Sequence, residues 1–306
     1  MLHFLCRGLL LAGFSFFIVY LVKTDSLQYF IAPRISLYVK CSAIGLMVLA
    51  IYQMFMVFQT ATGERESCSC EHVPARSWMK NTFIYCLFLL PLALGFLVSN
   101  SVMASEMAAV KGMNLSPTNS MNTKISTSKD EKVKRNASQY DVEQGNHASN
   151  YPDDELKKRF PADAFTEDFA DLGIRLYDKS LIRIKEEGFM ERLTTIDLYL
   201  DQFVEHRMEI SGFVYREEEM DGDIFVISRM AMQCCSADAA PYGILVRAEK
   251  GRNYAEDAWI SVTGTIHKTL YGGNEVMVLD AEEIEKIAVP KDPYVYPYVK
   301  DFAFLD

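Results

Sequence analysis

The sequence predicts a membrane α-helical N-terminal half with three spans, followed by a soluble α+β C-terminal domain containing a small OB-like β-barrel. Three observations predict it. Long apolar runs fill the first 104 residues of a 306-residue chain. Polarity then reverses: residues 151–306 hold 18 Lys+Arg against 32 Asp+Glu, while the whole chain nets −10. Finally, short apolar runs bounded by turn residues recur after Met208, the pattern of strands rather than helices. The expected division is 1–111 transmembrane region, 112–160 flexible polar linker, 161–205 helical segment and 206–306 barrel domain.

The apolar runs are about Leu9–Val22 (flanked by Leu2–Cys6), Ile35–Phe58 and Thr82–Ala104. A hydrocarbon core about 30 Å thick needs about 20 helical residues, and each run supplies them. The first run is followed by Lys23-Thr-Asp with no small-x-small cleavage pattern, so it reads as a retained span rather than a signal peptide. Lys40 lies near a span end, where its ammonium can reach the headgroups; a pore- or partner-facing charge is the alternative. Pro91 and Gly95 predict a kink in the third helix. Helices with so little polar content do not line a transport path alone, which favours an accessory subunit over a complete transporter. The flanking Lys and Arg residues divide evenly between the two sides. The reading taken is a multi-pass protein of the cell membrane with its N-terminus inside and the acidic domain extracytoplasmic.

Residues 112–150 are rich in Asn, Ser, Thr and Lys and too poor in apolar groups to offset chain entropy, the composition of a tether. Asn114-Leu-Ser and Asn136-Ala-Ser match the glycosylation triplet. Phe165, Phe169, Leu172 and Leu176 recur at helical steps, and a second short helix is expected over Thr195–Phe203. Five strands follow, at Met208–Tyr215, Asp223–Ser228, Ile244–Ala248, Asp257–Ile266 and Glu275–Leu279, with Ala281–Ile287 as a short closing helix. Gly212 and Gly264 fall inside strands, where glycine suits a bulge or a corner of a small barrel. The tail from Pro290 to Val299 is rich in proline and tyrosine and reads as extended, packed on the barrel or meeting a partner. A domain this acidic is a poor nucleic-acid binder, because such affinity comes mainly from neutralising phosphates.

Chemistry concentrates at Cys234 and Cys235, placed where a strand ends and a turn begins, with Asp238 beside them. Direct neighbours have Cα atoms about 3.8 Å apart, closer than the 5.5–6 Å typical of an unstrained disulfide. The pair therefore reads as reduced thiols, thiolates or soft-metal ligands, the alternative being two small buried apolar residues. Cys68, Cys70 and His72 offer three soft or borderline donors within five residues, a donor set for zinc or copper. Its spacing is not that of a zinc finger, and an exposed loop with idle thiols is the alternative. No motif demands another cofactor. No Ser/His/Asp order, zinc-protease motif or phosphate-cradling loop is present, so no enzyme is expected.

The last span's Leu90-Pro-Leu-Ala-Leu-Gly95, then Ala109-Val-Lys-Gly-Met-Asn114, Gly212-Phe-Val-Tyr215 and Arg229-Met-Ala-Met-Gln-Cys-Cys-Ser-Ala-Asp-Ala239 resemble the YcgQ-type family. The likeness covers both halves, and Cys-Cys-x-Ala-Asp-Ala after a strand is its most specific part. The resemblance implies a subunit of a two-component membrane permease, held in the lipid bilayer beside a polytopic YcgR-type permease. It further implies amino-acid transport or low-pH survival, with a soft-metal or thiol-reactive cargo also in view. Cys234, Cys235 and Asp238 would then bind ligand or respond to redox state. A membrane-anchored thiol or metal sensor, or a regulatory ligand-binding module, is the rival reading.

Overall fold

The computed structural model describes residues 2–62, 78–97, 104–116, 154–217 and 220–305. These form two compact units. One holds residues 1–102 together with Cys234–Ala237; the other holds the rest.

In the first unit, helix α1 runs Leu2–Lys23, a 3-10 turn covers Leu27–Tyr29, α2 runs Pro33–Thr62 and α3 runs Trp78–Leu97. Proline opens α2 at a position where its missing N–H goes unused. These helices are apolar around their whole circumference, as expected of helices solvated by lipid. Two are long and apolar enough to cross a membrane, Phe4–Lys23 and Pro33–Gln59, and only 17% of each apolar window is buried, unlike the core helix of a soluble protein. Leu37, Ile44, Phe58 and Phe83 all point outward. The third apolar stretch, Asn81–Leu97, is shorter. Ser15 Oγ donates to the Ala43 carbonyl at 2.7 Å, tying α1 to α2, and Phe17 meets Phe96 edge-on at 4.9 Å, tying α1 to α3.

The second unit begins with α4, Ala104–Lys111. Ser105 donates through its N–H (3.0 Å) and Oγ (2.6 Å) to the Asp257 carboxylate. Ala104, the last residue of the third apolar run, is the first residue of this helix. Residues 112–116 continue along the sheet, with Asn114 N–H on the Pro241 carbonyl at 3.2 Å and Ser116 Oγ on Asp197 at 2.8 Å. The expected tether thus starts with a pinned segment. Its other end is helical, α5 over Asp154–Arg159, and leads to Phe160, which is buried against Tyr199 and Phe203. Most of the intervening linker, including Asn136, lies outside the described residues.

Helix α6 (Glu167–Tyr177) follows, with Ala170, Leu172, Ile174 and Leu176 buried. After it come strand β1 (Ile182–Ile184), α7 (Phe189–Leu198) and α8 (Leu200–Phe203). The strands are β2 Arg207–Tyr215, β3 Ile224–Ala231, β4 Ala240–Arg247, β5 Trp259–Tyr271, β6 Asn274–Lys286 and β7 Tyr294–Val295. Their order is β1-β2-β5-β6-β4-β3-β7, with β2 also paired to β3, so the hydrogen-bonded path through the middle five strands returns on itself. Pairing of β4 with β6 is parallel, Leu245 against Val278 to Arg247 against Asp280. The core lies between these strands and α6–α8, around Phe189, Phe203, Met208, Ile227 and Val262.

One element differs in kind from expectation. Ala281–Lys286 is strand, the second half of β6, not a closing helix. β5 extends far enough to pair with it as far as Ile260–Lys286, and Ile284 sits opposite Val262. A partner with open N–H and C=O groups outweighs the helical bias of the Glu-rich run. The ladder slips by one residue at Thr263/Gly264. A Cβ on Gly264 would stand 2.3 Å from the Asp280 carbonyl oxygen, so glycine is required where the strands press together. Gly212 stands in regular pairing, yet its Cβ would be equally close to the Ser228 carbonyl oxygen at 2.3 Å. The tail packs back on the domain: Arg175 donates to the carbonyls of Phe302 (2.6 Å), Ala303 (3.0 Å) and Leu305 (3.1 Å).

Candidate functional site

β3 ends at Ala231, and the Met232 N–H donates to the Val295 carbonyl at 2.9 Å. The chain must then cross to β4, whose register is fixed from Ala231 opposite Ala240. That leaves a short loop, and its 3-10 turn, Ser236–Asp238, folds Asp238 back over the start. Asp238 Oδ1 accepts the Gln233 N–H at 2.8 Å. The Cys234 thiol donates to the Cys235 sulfur at 3.7 Å, and no disulfide joins the two. Both sulfurs and a carboxylate oxygen of Asp238 fall within 4.8 Å of one another. Cys234 and Asp238 are exposed and Cys235 half-buried, so these thiols are not core residues. Within the first compact unit the Cys234 carbonyl accepts the Ala32 N–H at 3.0 Å and the Ser236 N–H donates to Phe30 at 2.9 Å.

Three donors of mixed softness converging at an exposed loop can bind a thiol-seeking ion or undergo thiol chemistry. The other predicted donor set, Cys68, Cys70 and His72, lies outside the described residues. Among the described residues, Cys234, Cys235 and Asp238 form the one three-residue donor group of this compactness.

Two further polar groups were not legible from spacing. His267, on β5, has Nδ1 3.3 Å from Glu205 and Nε2 3.5 Å from Asp280, which also accepts from Arg247 at 2.8 Å. Arg229, five residues before Cys234, is buried over the Trp259 ring at 4.9 Å and donates to Glu186 at 2.9 Å. Nearby, burial pushes the Asp292 carboxyl up, while bonds from the Tyr294 N–H and Tyr296 hydroxyl pull the other way. β3 is buried from Phe225 to Ala231, so no alternation in the sequence marks Arg229.

Comparison with known proteins places the chain. It matches the DUF1980 N-terminal domain over residues 6–114 and the DUF1980 C-terminal domain over residues 159–297. The chain belongs to the YcgQ-type, DUF1980 family. Over 307 aligned residues it is 24% identical to UPF0703 protein YcgQ of Bacillus subtilis (strain 168), covering 95% of this chain and 98% of that protein. It is also 28% identical over 118 residues to a protein of Streptococcus mutans serotype c, spanning 38% of this chain and 42% of that protein. That relative is named as a candidate subunit of a two-component membrane permease complex. The Cys234–Cys235 loop lies inside the DUF1980 C-terminal domain, and Cys68, Cys70 and His72 inside the N-terminal one.

Proposed function

We propose that this DUF1980 chain is the accessory, non-enzymatic subunit of a two-component membrane permease. Its apolar helices dock on a polytopic YcgR-type partner, and its sheet-rich domain captures cargo on the Cys234–Cys235 loop. The observation that carries the reading is a pair of lipid-length helices with outward-facing apolar side chains, in a chain related to a named permease-complex subunit. So little polar surface on the helices leaves the conducting path to a partner.

In this arrangement the chain crosses the membrane three times, with its N-terminus inside and the acidic domain extracytoplasmic. An OB-like barrel is the fold we assign to the strand ring, supported by the returning order β2-β5-β6-β4-β3 and the parallel β4–β6 pair. Vicinal thiols, one exposed and one half-buried, favour a thiol-seeking cargo. An amino-acid cargo with a role at low pH is the other reading, and it rests on the resemblance alone.

The test is affinity purification of the tagged full chain in mild detergent from its native host. Recovery of a polytopic permease at near-equal amounts supports the subunit reading. Its absence, with the chain intact and membrane-bound, supports the rival membrane-anchored thiol sensor. Labelling of Cys234 and Cys235 by an impermeant maleimide in intact cells tests the sidedness; protection until lysis would reverse the orientation.

A further inference from the structure

We propose that the Gln233–Asp238 loop is a three-ligand site for a zinc-class divalent cation, bound by the Cys234 and Cys235 thiolates and the Asp238 carboxylate, with the fourth position open. Its transport meaning rests on the permease reading above; the site itself rests on the geometry of the loop.

Two zinc–sulfur bonds of about 2.3 Å meeting at a tetrahedral angle hold their sulfurs about 3.8 Å apart. The Sγ atoms of Cys234 and Cys235 already stand 3.7 Å apart. A linear dithiolate ion would need them separated by twice the bond length, well beyond what the loop presents. The third donor selects further. Thiolates alone suit Cu(I) and oxygens alone suit magnesium or calcium, whereas two thiolates with one carboxylate suit zinc.

In a tetrahedral site the carboxylate oxygen would lie about 3.5 Å from each sulfur. All three donors are within 4.8 Å of one another before any ion draws them in. The Gln233 N–H on Asp238 Oδ1, 2.8 Å, orients that carboxylate as outer-shell bonds orient metal ligands.

Among the described residues no fourth His, Cys, Asp or Glu joins the group, and three protein ligands mark an exchanging site, where a closed structural site has four. Exposure of Cys234 and Asp238 gives the ion a route in and out. Binding exchanges two S–H bonds for two S–metal bonds and releases both protons to solvent, with no change of oxidation state.

The test uses the full chain in mild detergent, stripped with chelator and carrying Cys68→Ser and Cys70→Ser so that the second thiol loop is silent. Co2+ is titrated in, then Zn2+. The expected result is a thiolate-to-cobalt charge-transfer band with a tetrahedral visible spectrum, saturating at one ion per chain and lost on adding Zn2+. Cys234→Ser with Cys235→Ser should abolish both bands. Asp238→Asn should keep the charge-transfer band but weaken Zn2+ binding by about 10- to 100-fold or more. An octahedral spectrum without charge transfer, or bands that survive the double serine substitution, would overturn the proposal. Permease recovery is measured on the same preparations: normal recovery without cobalt bands rejects the metal site and spares the subunit reading. Cobalt bands without a recovered permease support the metal site and reject the subunit reading.

Discussion

Replacing Arg229 separates the energetics of stacking and packing from those of an ion pair. Its side chain is 2% exposed, while its partner Glu186 is 61% exposed. Losing Arg229 therefore leaves a hydrated carboxylate, not a buried orphan charge. The pair should be worth about 0–1 kcal/mol, the range of surface pairs, rather than the roughly 3–5 kcal/mol of breaking a fully buried one. Stacking on Trp259 at 4.9 Å contributes about 1–2 kcal/mol when desolvated. The bond to the Asp292 carbonyl is long at 3.4 Å and adds little. Arg229 Nε is buried without a hydrogen-bond partner, an offsetting cost of about 1–3 kcal/mol that any apolar replacement relieves.

Alanine also opens a cavity under Trp259, so Arg229→Ala should cost about 2–4 kcal/mol. Arg229→Met, which refills the space without the charge, should cost under about 1.5 kcal/mol. Glu186→Gln should cost under about 1 kcal/mol. The assay is urea unfolding of the full chain in detergent, in a Trp78→Phe background that leaves Trp259 as the only tryptophan of the two present. With a slope of about 2 kcal/mol per molar urea, the alanine midpoint should fall by about 1–2 M. A Glu186→Gln loss as large as that of Arg229→Ala would show the ion pair to be dominant and refute the reasoning.

Glu191 predicts a pH effect. Its carboxylate accepts the Tyr298 N–H at 2.9 Å, its other oxygen is buried without a partner, and burial pushes its pKa above the usual carboxylate value. The folded acid holds its proton more tightly than the unfolded chain, so stability falls as pH rises from about 4.3 through the raised folded value and is level above it. Glu191→Gln should flatten the rise of the urea midpoint toward low pH; an unchanged slope would sink this. Gly264→Ala should cost more than about 3 kcal/mol, because its Cβ would meet the Asp280 carbonyl at 2.3 Å, and a normal unfolding midpoint would contradict the close approach.

Much of the architecture is local and was therefore legible. Lipid-length apolar runs report α1 and α2 directly, because transfer from water depends on composition alone. Periodicity placed β2 to β6 within a few residues at their starts. The donors Cys234, Cys235 and Asp238 fall within five residues, so a loop of any compact shape keeps them near one another. His267 with Glu205 and Asp280, and Arg229 with Glu186, meet across long sequence separations and carry no spacing signal.

By itself the sequence determined the two solvents, apolar in the first third and aqueous in the acidic half, and the adjacency that keeps the two cysteines from an unstrained disulfide. Only the tertiary structure decided that Ala281–Lys286 extends as strand, that Asn114 is pinned to β4, and that Arg229 is buried while Cys234 is exposed and Cys235 half-buried. The reason is physical: hydropathy and local spacing act within a few residues, whereas burial and strand pairing are set by partners that the chain meets only once it has folded.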